Sequence, residues 1–339
     1  MKAFVTASFD ATSLARIKKH MDVHVEDWRV TKNIFFDGKQ FAQRLKEEGC
    51  DVILCEIDLV HAEVLDTVDV KLIGCCRGEP VNIDLPLATQ KGIPVFHTPA
   101  RNADAVADLS LCFMLTLARH VYDAVSFVKN GANRFGGAGD FLKMYEAMTG
   151  VELYGRTVGL VGFGAIGQRV AKRVLAFGAK AIAYDPYAKT EVFEKLGVQR
   201  GELDDVLRAA DFLTIHVPDV EQTKNMIGAR ELGLLKDGVY FINTARAAAV
   251  EEEPLYEAVK SGRIKGAAMD VFWNEPVQPD NRFVVLPNVI ATQHIGGATT
   301  DVIVHQGEMM CESIETFLRG ERPPFLANPD VLPKLGLKA

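Results

Sequence analysis

Several features that would place a protein in a special class are missing from this 339-residue sequence. Basic residues do not outnumber acidic ones, and the net charge of −7 argues against general binding to nucleic acid or anionic membranes. The longest apolar stretch in a helical pattern, Leu109–Leu117, is far shorter than the roughly 20 residues that cross a bilayer. The N-terminus, MKAFVTASFD, lacks the apolar core of a secretory signal. We therefore expect no nucleic-acid partner and no membrane.

The cysteines also lack the spacing of a special site. None of the six forms a C-x-x-C pair, and none lies near a histidine at zinc-finger spacing. We expect reduced, mostly buried thiols in a cytoplasmic protein, and no metal site. The apolar share of 48% and charged share of 24% are those of a globular protein, and the length suits about two domains.

Short apolar runs alternate with helical patterns along the whole chain. This alternation predicts βαβ units, parallel sheets and an α/β fold. Between the two halves, apolar residues at three- and four-residue spacing predict a long helix, and the glycines and asparagines of 130–140 predict an exposed loop. The predicted strands are Ala3–Thr6, Val52–Leu54, Leu72–Cys75, Val95–Phe96, Thr157–Val161, Ala181–Tyr184, Phe212–Val217, Val239–Ile242, Ala267–Val271 and Val289–Thr292.

A G-x-G-x-x-G pattern, formed by Gly162, Gly164 and Gly167, lies between a predicted strand and a predicted helix. In that context the glycines allow a tight turn, a close approach of backbone to a pyrophosphate, and close packing of helix on strand. Asp185 ends the next strand, where a carboxylate bonds ribose hydroxyls and repels a 2′-phosphate, so NAD is favoured over NADP. The alternative is a glycine turn with a purely structural use.

Three residues of catalytic type follow three later strands. Arg246 lies in INTARAAAV, Glu275 in DVFWNEP and His294 in NVIATQHIGG. Ligands bind at the carboxyl edge of open α/β sheets, so these side chains are candidates for one site. Reduction of a 2-oxo acid needs a proton donor such as histidine, a carboxylate to orient it, and a guanidinium for the substrate carboxylate. The alternative is a structural histidine and a solvated arginine.

The motifs GFGAIG, INTAR, DVFWNEP and QHIGG, in this order, resemble the D-isomer-specific 2-hydroxyacid dehydrogenases, which include phosphoglycerate dehydrogenases and glyoxylate or hydroxypyruvate reductases. The resemblance implies two similar parallel-sheet domains: a Rossmann NAD-binding domain over 102–298 and a discontinuous, flavodoxin-like catalytic domain over 1–101 and 299–339. It implies that Arg246 binds substrate, Glu275 pairs with His294, and His294 is the general acid or base. The expected cofactor-binding residues are Gly162, Gly164, Ala165, Ile166, Gly167, Asp185, Pro218, Thr244 and Asp270, the last of these holding the nicotinamide carboxamide.

The loop after the strand Leu72–Cys75 departs from the family pattern. It is shorter and less rich in glycine, and Arg77, Gly78 and Glu79 are the expected substrate-binding residues. Glu79 places a negative charge beside a site for an anion. One interpretation is that Glu79 accepts hydrogen bonds from substrate hydroxyls, which favours a polyhydroxy 2-oxo acid. The other is a side chain turned to solvent, and a phosphorylated substrate stays open.

A segment over 131–150 is longer than the family pattern, in a region that the resemblance places near a dimer contact. We hypothesise that it reaches the active site or a partner subunit, with Lys143 and Tyr145 as candidate contacts, or that it is a surface loop. We expect a homodimer. Two other functions stay open: an NAD(H)-sensing regulatory protein on the same scaffold, and, more weakly, an enzyme for formate or phosphite.

Overall fold

The computed structural model describes residues 1–129 and 137–337, and within these ranges the strands form two parallel sheets. Both sheets are flanked by helices, which confirms the predicted α/β class. The strands are β1 (Lys2–Val5), β2 (Asp22–Val25), β3 (Val52–Cys55), β4 (Leu72–Cys75), β5 (Val95–His97), β6 (Thr157–Val161), β7 (Lys180–Tyr184), β8 (Gln199–Arg200), β9 (Phe212–Ile215), β10 (Val239–Asn243), β11 (Ile264–Met269) and β12 (Val289–Ala291).

The helices occupy most of the sequence between the strands, and several begin and end at residues that satisfy their free backbone groups. The helix Gly38–Glu48, for example, starts at Asp37, whose carboxylate accepts two backbone N–H bonds, and stops at Gly49 in a left-handed conformation. The helices are α1 (Ala11–Ile17), α2 (Trp28–Thr31), α3 (Gly38–Glu48), α4 (Ala62–Leu65), α5 (Leu85–Gln90), α6 (Ala103–Ala118), α7 (Val121–Lys129), α8 (Ala138–Ala147), α9 (Ala165–Ala176), α10 (Thr190–Leu196), α11 (Leu203–Ala209), α12 (Ala229–Gly233), α13 (Glu252–Lys260) and α14 (Thr300–Leu318).

The chain divides into two compact units. The N-terminal unit comprises Met1–Asn102 together with the chain from Thr299 onward, and the central unit comprises Ala103–Ala298. In the N-terminal unit the strand order is β2-β1-β3-β4-β5, which is the flavodoxin-like order. Its inner strands β3 and β4 are buried throughout, so their continuous apolar runs suit a sheet covered on both faces.

Helix α14 completes the core of the N-terminal unit although it lies far away in sequence. Met310 and Ile314 on α14 are buried with Ala3, Val5 and Leu54 of the sheet. The sheet is shaped for this contact, because a Cβ at Gly74 would lie 2.5 Å from the Met310 sulfur. The segment after α14 is anchored to the same unit, because the Asn328 side chain accepts a hydrogen bond from the backbone N–H of Val95, and Val331 and Leu332 are fully buried.

The sheet of the central unit has the strand order β12-β11-β10-β9-β6-β7-β8. This is the Rossmann order, extended by one strand, and the direction of winding reverses between β6 and β9. Helices cover both faces: α6 and α9 contribute Phe113 and Val170 to one core, and α13 contributes Leu255 and Val259 to the other. The carboxyl edge near β6 and β9 is the position at which such sheets bind ligands.

Two strands and one helix differ from the sequence prediction. Strands β2 and β8 were not predicted, because both lie at sheet edges and are half-exposed or exposed, so neither carries a buried apolar run. The loop predicted over 130–140 is wrong from Ala138 onward, where α8 begins. The rest of that prediction, up to residue 136, lies outside the described residues.

Within 1–129 and 137–337, no single helix is both long and apolar enough to cross a membrane. Helices α6 and α7, bent by 68° at their junction, meet the criteria of length and composition only as a pair. Helix α6 buries Val106, Phe113 and Leu117 in the protein. The apolar residues of α6 are therefore accounted for by the core of the central unit.

Candidate active site

Three side chains of catalytic type follow the carboxyl ends of strands in the central unit. Arg246 comes shortly after β10, Glu275 follows β11, and His294 follows β12, and all three residues are exposed. The structure brings Glu275 and His294 into direct contact, with 2.8 Å between Glu275 Oε2 and His294 Nδ1. Because a carboxylate only accepts, His294 donates through Nδ1–H, and its Nε2 is left for another partner.

The second carboxylate oxygen of Glu275 is held by the protein backbone. Oε1 accepts a hydrogen bond of 3.0 Å from the backbone N–H of Phe272. Burial acts to raise the pKa of Glu275, but the bonds from His294 and Phe272 and the charge of Arg246 outweigh it and hold that pKa below its ordinary value of 4.5. The carboxylate therefore stays ionised and keeps the imidazole in one orientation.

Arg246 carries a positive charge that no carboxylate neutralises by direct contact within the described ranges. Its guanidinium donates a hydrogen bond of 2.7 Å to the carbonyl of Ala245, the residue before it. The loop that carries it is fixed by Asn243, which donates to the carbonyl of Arg246 and accepts from the N–H of Ala245. A fixed backbone with an exposed guanidinium suits the capture of a carboxylate ligand.

Asp270 organises the loop that carries His294. It is fully buried, and Oδ1 accepts from the hydroxyl of Thr292 at 2.5 Å and from the N–H of Ile295 at 2.8 Å. Its Oδ2 accepts from the N–H of Gly296 at 2.7 Å. His294 itself has a φ of +55°, a left-handed conformation that costs free energy unless its surroundings hold it. Both oxygens of Asp270 therefore serve this loop, a role that its expected contact with a nicotinamide carboxamide did not include.

We expect Asp270→Asn to lower the free energy of unfolding by about 2 kcal/mol and to lower kcat. An amide keeps the size of the side chain, but its NH₂ group faces backbone N–H donors and leaves them unpaired. Thermal unfolding of the variant and its steady-state rates check this. Asn274→Asp, in an exposed position after β11, is the matched control, and equal stability of Asp270→Asn and wild type would contradict the role in the loop.

Each glycine of the G-x-G-x-x-G pattern has a different surrounding. Gly162, with φ of +96°, packs so closely on the end of β9 that a Cβ would lie 2.5 Å from the carbonyl oxygen of His216. A Cβ at Gly167 would lie 2.3 Å from the carbonyl oxygen of Gly162. Gly164 caps the start of α9 and has no atom within 4 Å of its Cβ position. That open position, together with Ala165 and Ile166 in the first turn of α9, suits an anion at the helix N-terminus.

Asp185, at the end of β7, is already bonded to the backbone around it. Oδ2 accepts from the N–H of Phe163 at 2.8 Å, and Oδ1 accepts from the N–H groups of Tyr187 and Ala188 at 2.9 and 3.0 Å. A carboxylate offers about four acceptor positions, so room is left for about one more bond. The sequence interpretation had this carboxylate bonding both ribose hydroxyls, and the structure leaves less capacity than that.

Other expected cofactor residues lie at the same edge of the sheet. Thr244 is buried, and its hydroxyl is 2.8 Å from the hydroxyl of Ser110. Pro218 follows β9, and its carbonyl accepts from the hydroxyl of Thr223 at 2.6 Å. Beside it, burial lowers the pKa of His216 to about 3, so this imidazole is neutral and serves packing. The central unit fits an NAD molecule, because the open space at Gly164 can admit a pyrophosphate and the Asp185 carboxylate can accept a hydrogen bond from a ribose hydroxyl.

The expected substrate loop lies in the N-terminal unit, after β4. The backbone is fixed by Thr98, whose N–H donates to the carbonyl of Arg77 at 2.8 Å, and by His97, whose Nδ1–H donates to the carbonyl of Gly78 at 2.8 Å. Within the described ranges, the N–H groups of Gly78 and Glu79 donate no hydrogen bond and the guanidinium of Arg77 forms no ion pair. The loop therefore offers donors to a ligand. Only the fold shows that His97, at the end of β5, holds this loop.

Comparison with known proteins agrees with this architecture. Residues 111–296 match the family model of the D-isomer specific 2-hydroxyacid dehydrogenase, NAD binding domain. The chain is 43% identical over 284 residues to the hydroxypyruvate reductase of Thermotoga maritima, which covers 80% of this chain and 89% of that protein. It is 35% identical over 332 residues to the glyoxylate reductase of Thermococcus litoralis, with 98% of both chains covered. The solved structure of the TT0316 protein from Thermus thermophilus is 31% identical, with a TM-score of 0.80, and covers 96% of this chain and 99% of that chain.

A Rossmann sheet with a glycine fingerprint and a histidine–carboxylate pair at its carboxyl edge defines a nicotinamide-dependent oxidoreductase. The chain belongs to the D-isomer-specific 2-hydroxyacid dehydrogenases, NAD-dependent enzymes that interconvert a 2-hydroxy acid and its 2-oxo acid by hydride transfer. This confirms the family, the reaction class and the cofactor that the sequence motifs indicated, and it does not favour the NAD(H)-sensing alternative.

Proposed function

We propose that His294 is the general acid and base of this dehydrogenase. The observation that carries the proposal is the 2.8 Å contact between Glu275 Oε2 and His294 Nδ1, which leaves Nε2 as the nitrogen that exchanges a proton with the substrate oxygen. In reduction, protonated His294 gives its Nε2 proton to the carbonyl oxygen, and in oxidation neutral His294 takes the proton from the hydroxyl. The ionised Glu275 stabilises the charged imidazole. Bound NAD(H) supplies or accepts the hydride.

In this proposal Arg246 anchors the substrate. Its unpaired guanidinium binds the substrate carboxylate and polarises the neighbouring carbonyl group. The open position at Gly164 would admit the cofactor pyrophosphate to the N-terminus of α9, while Gly162 and Gly167 allow the tight turn and the close packing that shape this position, and Asp185 would bind the adenosine ribose. Ala165, Ile166, Pro218, Thr244 and Asp270 complete the proposed cofactor-binding residues.

The substrate class follows from the loop after β4. We propose a 2-oxo acid with further hydroxyl groups, because the exposed Glu79 carboxylate can accept hydrogen bonds from hydroxyls and the described residues leave the N–H groups of Gly78 and Glu79 free to donate. One observation favours a second candidate, a phosphorylated 2-oxo acid, because the unpaired guanidinium of Arg77 suits a distal phosphate.

Oxidation of NADH with a panel of 2-oxo acids tests the substrate class. The panel contains glyoxylate, hydroxypyruvate, phosphohydroxypyruvate and sugar-derived 2-oxo acids. We expect higher kcat/KM for hydroxylated acids than for glyoxylate, and Glu79→Gly to reduce that preference about tenfold, since a hydrogen bond to a charged group is lost. Arg77→Ala reduces turnover of the phosphorylated acid alone if the second candidate holds.

Val81→Gly is the matched control for the panel. Val81 lies in the same loop and is 70% exposed, so its replacement adds the same backbone freedom and removes no carboxylate. An order of substrates that is the same in Glu79→Gly, Val81→Gly and wild type would overturn the proposed role of Glu79. It would leave the dehydrogenase reaction itself untouched.

We also propose that the enzyme is a homodimer that pairs through α7 and α8. Both helices expose large apolar side chains that the described residues of the chain leave uncovered, and neither helix has a buried residue. The hypothesis of a partner contact through Tyr145 belongs to this surface, since Tyr145 is 64% exposed on α8. The exposed apolar residues are Val121, Tyr122, Val125, Val128, Phe141, Leu142 and Tyr145.

Light scattering is expected to give the mass of two chains for the wild type and of one chain for Val125→Asp. A carboxylate at this position would be buried unpaired in the interface, which costs several kcal/mol. Val30→Asp, at a valine of α2 that is 78% exposed against 47% for Val125, is the matched control and should keep the mass of two chains. A single-chain mass for the wild type would refute the dimer.

A further inference from the structure

Tyr240 is a buried tyrosine whose hydroxyl has no partner among the described residues. It lies near the amino end of β10, is 5% exposed, and its ring stacks on Phe212 with 4.8 Å between centroids. Within residues 1–129 and 137–337 its hydroxyl oxygen makes no hydrogen bond although it is shielded from solvent. Buried hydroxyls are normally paired, because an unpaired one forfeits its bonds to water. Phenylalanine would fill the same core position without that cost.

The neighbouring strand is irregular at the same place. Val239 pairs with Ile264, but the next residue, Tyr240, pairs with Gly266, so Lys265 is an extra residue that bulges from β11. Such bulges re-aim a side chain, and here the Lys265 ammonium lies 5.7 Å from the centroid of the Tyr240 ring. Gly266 lies beside both the ring and helix α6, since a Cβ there would lie 3.1 Å from Leu117 Cδ2 and 3.4 Å from Tyr240 Cδ1. Lysine, glycine and tyrosine thus form one local arrangement.

Two adjoining cavities flank this arrangement, and Tyr240 and Lys265 line both. The first has a volume of about 170 Å³ and an apolar wall that includes Leu117 and Ile290. The second has about 140 Å³ and includes Arg156. Both lie at the amino-terminal edge of the central sheet, at the opposite strand ends from the glycine fingerprint.

Among the charged side chains that line the cavities, Lys265 is the cation available to an anion, because the described residues give it no acidic partner. In the first cavity His120 and Asp123 contact each other at 3.2 Å, and in the second Lys236 and Asp211 pair at 2.9 Å. Asp237 also lines the second cavity and pairs with Arg263 at 3.6 Å, and the charge of Arg156 acts on Asp211. Lys265 forms no ion pair with any residue in the described part of the chain, so one cation is left over beside an unused hydroxyl donor.

We propose that this edge of the sheet is a second binding site, for a small organic carboxylate with an apolar body. The carboxylate pairs with the Lys265 ammonium and accepts from the Tyr240 hydroxyl once the exposed lysine side chain swings off the ring. The apolar body lies against Leu117 and Ile290. The site is separate from His294 and from the fingerprint, and it does not depend on the proposed catalytic roles.

Benzoate is the probe, and benzamide is its uncharged counterpart. Titration of the full-length protein, followed by ligand-observed NMR, is expected to show benzoate binding more tightly than benzamide. Lys265→Met and Tyr240→Phe should each weaken benzoate binding about tenfold, through loss of a charge-assisted bond. Lys195→Met, at an exposed lysine on α10, is the matched control and leaves the affinity unchanged.

Tyr240→Phe is expected to fold with undiminished thermal stability, because its missing hydroxyl had no protein partner to lose. Benzoate affinity that is equal in wild type, Lys265→Met and Tyr240→Phe would overturn the proposal. Affinity lost only in Arg246→Gln would overturn it as well, since the probe would then occupy the substrate site. Absence of benzoate binding together with a change of oligomeric mass in Lys265→Met would assign this face to contact between copies of the chain and refute the ligand site.

Discussion

Replacement of His294 by alanine is expected to lower kcat about a thousandfold and to leave the affinity for NADH unchanged. General acid–base catalysis by one positioned side chain contributes factors of this order. The hydrogen bond from Nδ1 to Glu275 orients the ring, so the loss in the variant falls on the transfer of the proton through Nε2. Steady-state rates with the best 2-oxo acid of the panel, and NADH fluorescence for binding, measure the two effects.

His61→Ala is the matched control for His294→Ala. His61 is an exposed histidine that precedes α4 and makes no capping hydrogen bond, so its loss should change neither kcat nor NADH affinity. Wild-type turnover in His294→Ala would show that another group moves the proton. Tight NADH binding with no turnover in the wild type, on any acid of the panel, would return weight to a sensing function.

The lowered pKa of Glu275 determines how the contact between Glu275 and His294 depends on pH. The pKa of Glu275 is lowered in the folded protein, so its contribution to stability is present above the ordinary value of 4.5 and is lost as pH falls through the lowered value. The histidine–carboxylate contact therefore persists from neutral pH down to about pH 4.5 and breaks only in more acid solution.

Glu275→Gln should lower kcat by about a hundredfold at neutral pH, because an amide does not offset the charge of the imidazolium.

The second large effect is expected in the glycine fingerprint, where alanine at Gly162 or Gly167 should impair folding and alanine at Gly164 should impair NADH binding. Gly167→Ala should destabilise the protein by about 3 kcal/mol or more, because its Cβ would lie 2.3 Å from the carbonyl oxygen of Gly162 and neither backbone segment can give way. Gly162→Ala should do the same, since its φ of +96° is also unfavourable for alanine. Thermal unfolding without cofactor measures both.

Gly164→Ala should fold as well as the wild type. Its φ of −73° suits alanine, and its Cβ position is open. The added methyl group occupies the space through which a pyrophosphate reaches the helix N-terminus, so NADH affinity should fall about a hundredfold, or roughly 2.7 kcal/mol. Unaltered NADH binding in Gly164→Ala would show that the cofactor does not pass over this glycine. Because Gly164→Ala and Gly167→Ala add the same group, each serves as the control for the other.

Local sequence patterns predict the bounds of a strand correctly where the fold requires a continuous apolar run. Strands β4 and β6 coincide with their predicted bounds because buried parallel strands need unbroken apolar runs. Strand β8 has two exposed residues and α8 follows a glycine-rich stretch, so neither carries such a pattern. The existence of β8 depends on its pairing with β7, which the local sequence does not reveal.

The sequence by itself determined the α/β class, the fingerprint Gly162–Gly167, and the order of Arg246, Glu275 and His294 after their strands. These features are readable because each reflects the needs of a single turn, strand end or helix start. Only the tertiary structure decided that Asp270 holds the His294 loop, that backbone N–H groups take up most of the Asp185 carboxylate, and that the Tyr240 hydroxyl is buried without a partner in the part of the chain that the structure describes. Each of these depends on contacts between segments distant in sequence, and such contacts exist only once the sheet has brought its strands together.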